Sequence, residues 1–203
     1  MKISLLNLGK RFNTEWIFRH FNYQFVSGKS YAITGPNGSG KSTLLQVIGG
    51  ASTLSEGNIV YEDVQYEDIY KYISIAASYL ELVEEMTLRE FLHFHNALKK
   101  FYPSVTPKKI ISLLQLEKAA DKQMRYFSSG MKQRVKLAQA IFSNVPVILL
   151  DEPATNLDAE GIFLYKNFVN DYCKNRLLII SSNDKEEFDF CDEVIDMKGI
   201  NTI

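Results

Sequence analysis

The residues with the clearest chemical potential form one glycine-rich run, Gly35-Pro36-Asn37-Gly38-Ser39-Gly40-Lys41-Ser42-Thr43. Its glycines let the backbone wrap with N–H groups pointing inward, and a helix that begins at its end adds partial positive charge. In this pattern Lys41 can reach the β- and γ-phosphates of a nucleotide, and the Ser42 hydroxyl can ligate Mg²⁺. The run therefore predicts a phosphate-binding loop at residues 35–43.

Two adjacent acids follow a second, strongly apolar run. Residues 147–150 read Val-Ile-Leu-Leu and lead directly into Asp151 and Glu152. Sheets of parallel strands place their ligand chemistry at the carboxyl ends of the strands. We therefore expect Asp151 to hold Mg²⁺, directly or through water, and Glu152 to polarise an attacking water.

The elements that must position these residues alternate between short strands and helices. Strands are expected at residues 2–8, 17–25, 30–34, 58–61, 71–77, 147–150, 176–181 and 193–197. Helices are expected at residues 43–48, from Thr87, around 110–114, from Ser128 or Ser129 to 141, and at 159–174. The alternation predicts an α/β fold with a mainly parallel sheet and helices on both of its faces.

Two parts of the chain interrupt this alternation. Residues 2–8 and 17–25 flank a polar turn and are expected to pair as an N-terminal antiparallel β subdomain. Residues 79–145 read as consecutive helices, so they predict an inserted α-helical subdomain. The core of this single domain then comprises residues 1–78 and 146–203.

Composition narrows the classes of protein that fit. The chain has 203 residues, 46% of them hydrophobic and 23% charged, as in one ordinary globular domain. The formal net charge of −1 argues against a general nucleic-acid-binding surface. Cys173 and Cys191 lack metal-ligand spacing and are expected to stay reduced. Because the apolar runs are too short to span a bilayer, a role at a membrane would require another chain.

A third polar motif, Tyr126-Phe127-Ser128-Ser129-Gly130-Met131-Lys132-Gln133-Arg134, lies between the phosphate loop and the acidic strand end. Its serines are expected to cap a helix. In this position it also resembles the LSGGQ signature of ATP-binding cassette (ABC) proteins, and residues 153–158 follow at the place of that family's D-loop. By these motifs the whole chain is similar to an ABC ATPase, the nucleotide-binding subunit of an ABC transporter, with a P-loop NTPase core.

The resemblance implies a composite site that uses ATP and Mg²⁺ as cofactors. Two such domains pack head to tail, so the partner would be a second copy or another ABC ATPase subunit, as a homodimer or heterodimer. Ser128, Ser129 and Gly130 would then contact the γ-phosphate bound by the partner. Phe12 matches the aromatic position that stacks on adenine, with Trp16 as the alternative. Separately encoded transmembrane subunits would hold the chain at the cytoplasmic face of the inner or plasma membrane.

The sequence departs from the family pattern at three places. In the signature, Ser129 stands for a glycine and Met131 for a glutamine. The Q-loop glutamine falls by count on Ser78, whose shorter side chain would need a bridging water to reach Mg²⁺. Asn183 stands for the switch histidine after the strand at residues 176–181, and it can donate a hydrogen bond but cannot carry positive charge.

These features together predict an ATP-hydrolysing subunit that powers a transporter through ATP-dependent dimer closure. Lys41, Glu152 and Asn183 are the expected catalytic residues, and Ser42, Asp151 and Ser78 the expected metal residues. Turnover is expected to be slow, because Ser78 and Asn183 replace the Q-loop glutamine and the switch histidine, and a neutral donor at Asn183 stabilises the transition state less. Two alternatives remain: a nucleotide-gated interaction module, and a soluble ABC ATPase of an assembly system.

Overall fold

The computed structural model describes residues 1–199, and within them the chain forms eight strands and five α-helices. The strands are β1 Lys2–Phe12, β2 Glu15–Val26, β3 Ser30–Thr34, β4 Glu56–Tyr61, β5 Ile73–Ala76, β6 Val147–Asp151, β7 Leu177–Ser181 and β8 Glu193–Asp196. The helices are α1 Lys41–Ile48, α2 Leu88–Leu98, α3 Pro107–Leu113, α4 Ser129–Ile141 and α5 Ala159–Tyr172. Residues 200–203 of the expected core lie outside the described residues.

The strands form two sheets. A three-stranded antiparallel sheet has the order β2-β1-β4, and a five-stranded sheet has the order β5-β6-β7-β3-β8 with every neighbouring pair parallel. The predicted α/β class, with a parallel core, an antiparallel N-terminal pair and a helical part, is confirmed. The sequence did not reveal that β4 joins the antiparallel sheet beside β1.

The central strands are buried on both faces, which explains their unbroken apolar runs. In β6, Ile148 and Leu150 pack with α4 and α5 on one face, whereas Val147 and Leu149 pack with α1 and the antiparallel sheet on the other. All four side chains are completely buried. Because side chains alternate along a strand, one short run supplies both layers of the core.

The helical part shares its core with the sheet. Leu88 and Phe91 of α2 lie in the same buried cluster as Ile148 of β6. A capping box begins α2, since Thr87 Oγ1 accepts from the Glu90 N–H and the Glu90 carboxylate accepts from the Thr87 N–H. The second half of α2 lies outside this core, and Leu98 is 74% exposed.

Several predicted boundaries were off by a few residues. The fifth strand begins at Ile73 instead of Lys71, because residues 66–71 form a 3₁₀ turn. The helix expected to reach Lys174 ends at Tyr172. Ser128, one of two candidates, is the N-cap of α4, with its Oγ accepting from the Met131 N–H at 3.2 Å.

A buried arginine ties the helical part to the sheet. The Arg176 guanidinium is 4% exposed and donates to the carbonyl oxygens of Ile141, Ser143 and Tyr172 at 2.6, 3.0 and 2.8 Å. These carbonyls lie at the carboxyl ends of α4 and α5, where helices leave such acceptors unsatisfied. One side chain therefore holds two helix ends beside the start of β7.

Arg176→Met should lower the free energy of unfolding by about 2–3 kcal/mol, because buried carbonyls lose their donor. Urea unfolding followed by circular dichroism would measure this. Arg89→Met is the control, since Arg89 makes an exposed ion pair with Asp121 and its loss should leave stability almost unchanged. Equal effects for the two variants would contradict the structural role given to Arg176.

Candidate functional site

The glycine-rich run forms the turn between β3 and the start of α1. Gly40 is the N-cap of α1 with φ 96°, and no side chain caps the helix there. The first N–H groups of a helix have no partners within it, so an uncapped N-terminus can bind an anion. Only a glycine fits at this position, because a Cβ on Gly40 would lie 2.5 Å from Ile17 Cγ2.

Lys41 is already directed at the loop. Its ammonium donates to the carbonyl oxygens of Gly35 at 2.8 Å and Pro36 at 3.3 Å, and the residue is 6% exposed. A buried cation held by neutral carbonyls is only partly compensated. A phosphate in the loop would supply the negative charge that this ammonium lacks.

Strand order brings the predicted polar residues to the same edge. β7 lies between β3 and β6, and Asp151 at the end of β6 is paired with Ser181 at the end of β7. Asn183 follows β7 and contacts the phosphate loop directly. Its Oδ1 accepts from the Gly35 N–H at 3.2 Å, and its Nδ2 donates to Asn37 Oδ1 at 3.2 Å.

The Asp151 carboxylate fits a cation. Asp151 is 2% exposed, and its Oδ1 is buried without a hydrogen-bond partner among residues 1–199. Burying such an oxygen without a partner is costly, so a ligand or ion is expected to satisfy it. Within the same described part, no cluster of three or more His, Cys, Asp and Glu side chains could hold a metal alone. One carboxylate, the Ser42 hydroxyl and nucleotide phosphates are the ligand set that Mg²⁺ favours.

Glu152 is held in an uncommon backbone conformation. Its φ is 48°, in the left-handed region that non-glycine residues rarely adopt, and its N–H donates to the Ser181 carbonyl at 2.8 Å. The side chain is exposed while Asp151 beside it is buried. The strain thus separates two adjacent carboxylates into an interior one and an outer one, as their predicted roles require.

The segment after β5 places Ser78 and Tyr79 near this edge. Ser78 is exposed, and its carbonyl accepts from Lys136 Nζ at 3.1 Å. The metal role expected of the Ser78 hydroxyl stays a prediction. Tyr79, the next residue, is 42% exposed. Burial is the main cause that raises the pKa of Tyr79.

The signature residues 128–130 lie at the N-terminus of α4. Ser128 and Ser129 are exposed at the N-terminus of α4, and a Cβ on Gly130 would lie 2.9 Å from the Asn156 carbonyl oxygen. Gln133, one turn along the helix, donates to the Pro153 carbonyl at 2.8 Å. The start of α4 therefore lies against the segment after β6 at Gly130 and Gln133, and Ser128 and Ser129 are exposed.

The predicted adenine contact lies at the end of β1. Phe12 is 50% exposed, with the Lys10 ammonium 4.8 Å from its ring centroid. The alternative, Trp16, is half-buried and its ring is covered by the Arg19 guanidinium at 4.3 Å. The exposed ring of Phe12 is the better stacking surface of the two, although its role stays a prediction.

Two residues near the site have no signal in the sequence. Glu187 is 5% exposed, and its Oε1 accepts from the Ala154 N–H at 2.7 Å, next to the segment that carries Glu152. Burial is the main cause that raises the pKa of the Glu187 carboxyl. Lys136 is the second residue, and its ammonium donates to the carbonyl of Ser78, which is distant in sequence. Sequence spacing cannot show contacts that only the packing of α4 and the loop after β7 creates.

The site of one chain is open. A hollow of about 260 Å³ lies along the loop, lined among others by Gly35, Asn183 and Lys198. Ligand pockets usually enclose about 300–1,000 Å³. A larger cavity of about 580 Å³ lies at the other end of the sheet, beside Ser30 and Arg176. The phosphate loop therefore borders a small, open hollow.

The sequence is similar to ATP-binding proteins of ABC transporters. The sequence profile described as ABC transporter matches residues 18–155. The ABC transporter ATP-binding protein YybJ of Bacillus subtilis is 32% identical over 96% of this chain and 92% of its own length. The sulfate/thiosulfate import ATP-binding protein CysA of Synechocystis is 30% identical over 98% of this chain, which spans 59% of that relative.

Solved structures share the fold. A putative ABC transporter ATP-binding protein from Pyrococcus furiosus superimposes with a TM-score of 0.84 at 22% identity, and the match covers 100% of both chains. The dimeric bacterial ABC transporter cassette MJ0796 gives a TM-score of 0.81 at 23% identity, covering 96% of this chain and 93% of that one. At these identities the likeness shows the fold.

Gly40→Ala should weaken ATP binding at least tenfold (about 1.4 kcal/mol), because the new methyl group overlaps Ile17 and displaces the loop. Isothermal titration calorimetry with ATP would measure the affinity. Gly38→Ala is the matched control: Gly38 also has positive φ, 81°, but a Cβ there meets nothing within 4 Å. If Gly38→Ala weakened binding as much, backbone strain alone would explain both results.

Proposed function

This chain belongs to the ABC transporter family of ATPases, and from that membership we propose that it powers a transporter through ATP-dependent closure of a dimer. The observation that carries the proposal is the separation of two incomplete half-sites. One is the open phosphate loop, beside the Asp151 oxygen that has no hydrogen-bond partner among residues 1–199. The other is the exposed N-terminus of α4 at Ser128. Head-to-tail pairing of two domains would complete both.

Closure has a simple electrostatic basis. The exposed Ser128 hydroxyl and the first N–H groups of α4 form a neutral anion-binding surface. ATP held by one phosphate loop presents its γ-phosphate outward, so it would join this surface of the partner subunit. The related cassette MJ0796 is described as dimeric, which supports the same arrangement here as a homodimer or heterodimer.

The residues at the carboxyl edge of the parallel sheet have separate roles in ATP binding and hydrolysis. Lys41 and the loop N–H groups bind the phosphates, while Ser42 and Asp151 would hold Mg²⁺, which supplies charge neutralisation when bound. Glu152, exposed one residue beyond Asp151, orients and polarises the attacking water. Asn183 donates from its amide toward the γ-phosphate, but as a neutral group.

The neutral side chain of Asn183, which stands at the position of the switch histidine, supports slow turnover. The side-chain oxygen and nitrogen of Asn183 are both hydrogen-bonded to the phosphate loop, at Gly35 and Asn37 respectively. A charged donor would stabilise developing negative charge about twice as strongly as a neutral one. The same contacts favour a second candidate function, a nucleotide-gated interaction module, in which ATP closes the dimer and hydrolysis is vestigial.

The proposed membrane partner is a separately encoded transmembrane subunit, docked at the cytoplasmic face through the helical segment 79–145. Among the described residues, no helix has the length and apolar character needed to cross a membrane. The helical segment does expose large apolar side chains, including Val83, Phe94 and Leu98. YybJ and CysA are named as transporter ATP-binding proteins, which supports this partner class.

Glu152→Gln should lower phosphate release at least about 100-fold and leave ATP-dependent dimerisation intact, because only the group that activates water is lost. Phosphate release and light scattering with ATP would measure the two properties. Glu117→Gln, in an exposed turn of the helical segment, is the control. Wild-type protein that dimerises with ATP but releases no phosphate, alone or with its membrane partner, would favour the interaction module.

Asn183→His should raise kcat about tenfold, because a protonated imidazole adds a charge-assisted donor at the γ-phosphate. Steady-state ATPase assays with Mg²⁺ would measure kcat. Asn183→Ala is the companion variant and should lower kcat by removing the donor. An unchanged or lower kcat for Asn183→His would show that slow turnover has another cause.

Co-purification with a soluble assembly partner instead of a membrane protein would favour the assembly-type ATPase.

A further inference from the structure

The turn after β6 carries the residue proposed to polarise the attacking water. In this turn Glu152 has a φ of 48°, in the left-handed region that residues other than glycine rarely adopt. Such a conformation persists only where surrounding contacts hold it. The contacts of residues 152–155 therefore decide where the exposed Glu152 carboxylate lies.

Three backbone N–H groups hold this turn. The Glu152 N–H donates to the Ser181 carbonyl at 2.8 Å, and the Thr155 N–H donates back to the Glu152 carbonyl at 3.2 Å. The third group, the Ala154 N–H, donates to a side chain, the Oε1 atom of Glu187, at 2.7 Å. Removing that acceptor would release an N–H group only two residues beyond Glu152.

Glu187 is buried although it is acidic. It is 5% exposed, and it ends a 3₁₀ turn, Lys185–Glu187, that follows β7. Its other carboxylate oxygen, Oε2, is buried with no hydrogen-bond partner among residues 1–199. Burying a carboxylate is costly, and the hydrogen bond from Ala154 compensates part of that cost. The carboxyl group thus serves as an acceptor for one N–H, a task that does not require its charge.

The backbone around Glu187 is also held in place. The hydroxyl of Tyr165, which is completely buried in α5, donates to the Glu187 carbonyl at 2.7 Å. The Glu187 N–H donates to the Asp184 carbonyl at 3.0 Å, and the Glu186 N–H donates to Asp184 Oδ1 at 2.9 Å. The acceptor for Ala154 is therefore fixed both to α5 and within the short segment that carries Asn183.

We infer that Glu187 is a positioning residue for ATP hydrolysis, which holds the turn that places the Glu152 carboxylate by accepting from the Ala154 N–H. The inference deepens the proposed function and rests on it, because Glu152 is the group proposed to polarise the attacking water. Glu187 contacts neither nucleotide nor water in this role. It acts through the backbone, and it joins the segment that carries Glu152 to the segment that carries Asn183.

Two conservative variants separate the reach of the side chain from its charge. Glu187→Gln keeps an oxygen at the same distance from the backbone, so kcat should stay within about twofold of wild type. Glu187→Asp keeps the carboxylate but is one carbon shorter, so the Ala154 N–H loses its acceptor and kcat should fall about tenfold. Steady-state ATPase assays would measure kcat. Glu186→Asp, at the exposed neighbouring residue, is the matched control.

A comparison of catalysis with binding separates this role from a general structural one. Glu152 is not proposed to bind the nucleotide, so the Kd of Glu187→Asp for ATP with Mg²⁺ should stay within about twofold of wild type. Isothermal titration calorimetry would measure Kd, and thermal denaturation without nucleotide would test folding. ATP affinity that falls in parallel with kcat would overturn the inference, because a general distortion of the site lowers both.

Tyr165→Phe is a second variant, which leaves the Glu187 side chain intact and removes the hydroxyl that anchors its backbone. It should lower kcat about two- to fivefold at unchanged Kd. Unchanged kcat in both Glu187→Asp and Tyr165→Phe would overturn the inference, and so would equal losses in Glu187→Gln and Glu187→Asp. Phosphate release by Glu152→Gln at the wild-type rate would overturn the proposed function itself, a distinguishable result because that variant leaves Glu187 unchanged.

Discussion

Parallel pairing of β6, β7 and β3 is the constraint on which the rest of the site depends. The phosphate loop follows β3, Asn183 follows β7, and Asp151 ends β6. Because parallel strands end at the same edge, three segments that are distant in sequence converge there. The buried apolar faces of these strands supply the free energy that holds the convergence.

The converging segments leave polar groups incomplete. α1 begins at an uncapped glycine, Lys41 is held by neutral carbonyls, and the Asp151 carboxylate is buried with one oxygen unpartnered among residues 1–199. Each of these costs stability in the protein alone. In the proposed function a magnesium–nucleotide ligand would supply the missing charges of both signs, so the same features that weaken the unliganded edge would favour binding.

Polar contacts link this edge to the helical part. Lys136 holds the turn after β5, and Gln133 bonds the segment after β6 at Pro153. Both segments leave the sheet at the nucleotide edge. A displacement of α4 would therefore be transmitted to the groups around the phosphates, and a change at the phosphates to α4. This would give the proposed dimer closure a physical route to Ser128.

Local patterns account for much of the fold and of the site. The glycine-rich run, the apolar run before Asp151 and the Thr87 capping box each determine their structure from neighbouring residues, so the sequence predicted the loop, the buried strand and the helix start. The α/β class followed from alternating elements. Boundaries such as that of β5 were less certain, because a 3₁₀ turn at residues 66–71 has no distinct periodicity.

By itself, then, the sequence determined the identity of the phosphate loop and of the acidic strand end, because the residues involved are adjacent in the chain. Only the tertiary structure decided that Asn183 bonds the loop, that β4 joins the antiparallel sheet, and that Lys136 donates to the Ser78 carbonyl. These contacts join residues far apart in sequence. Their partners are chosen by how strands and helices pack, which no local spacing encodes.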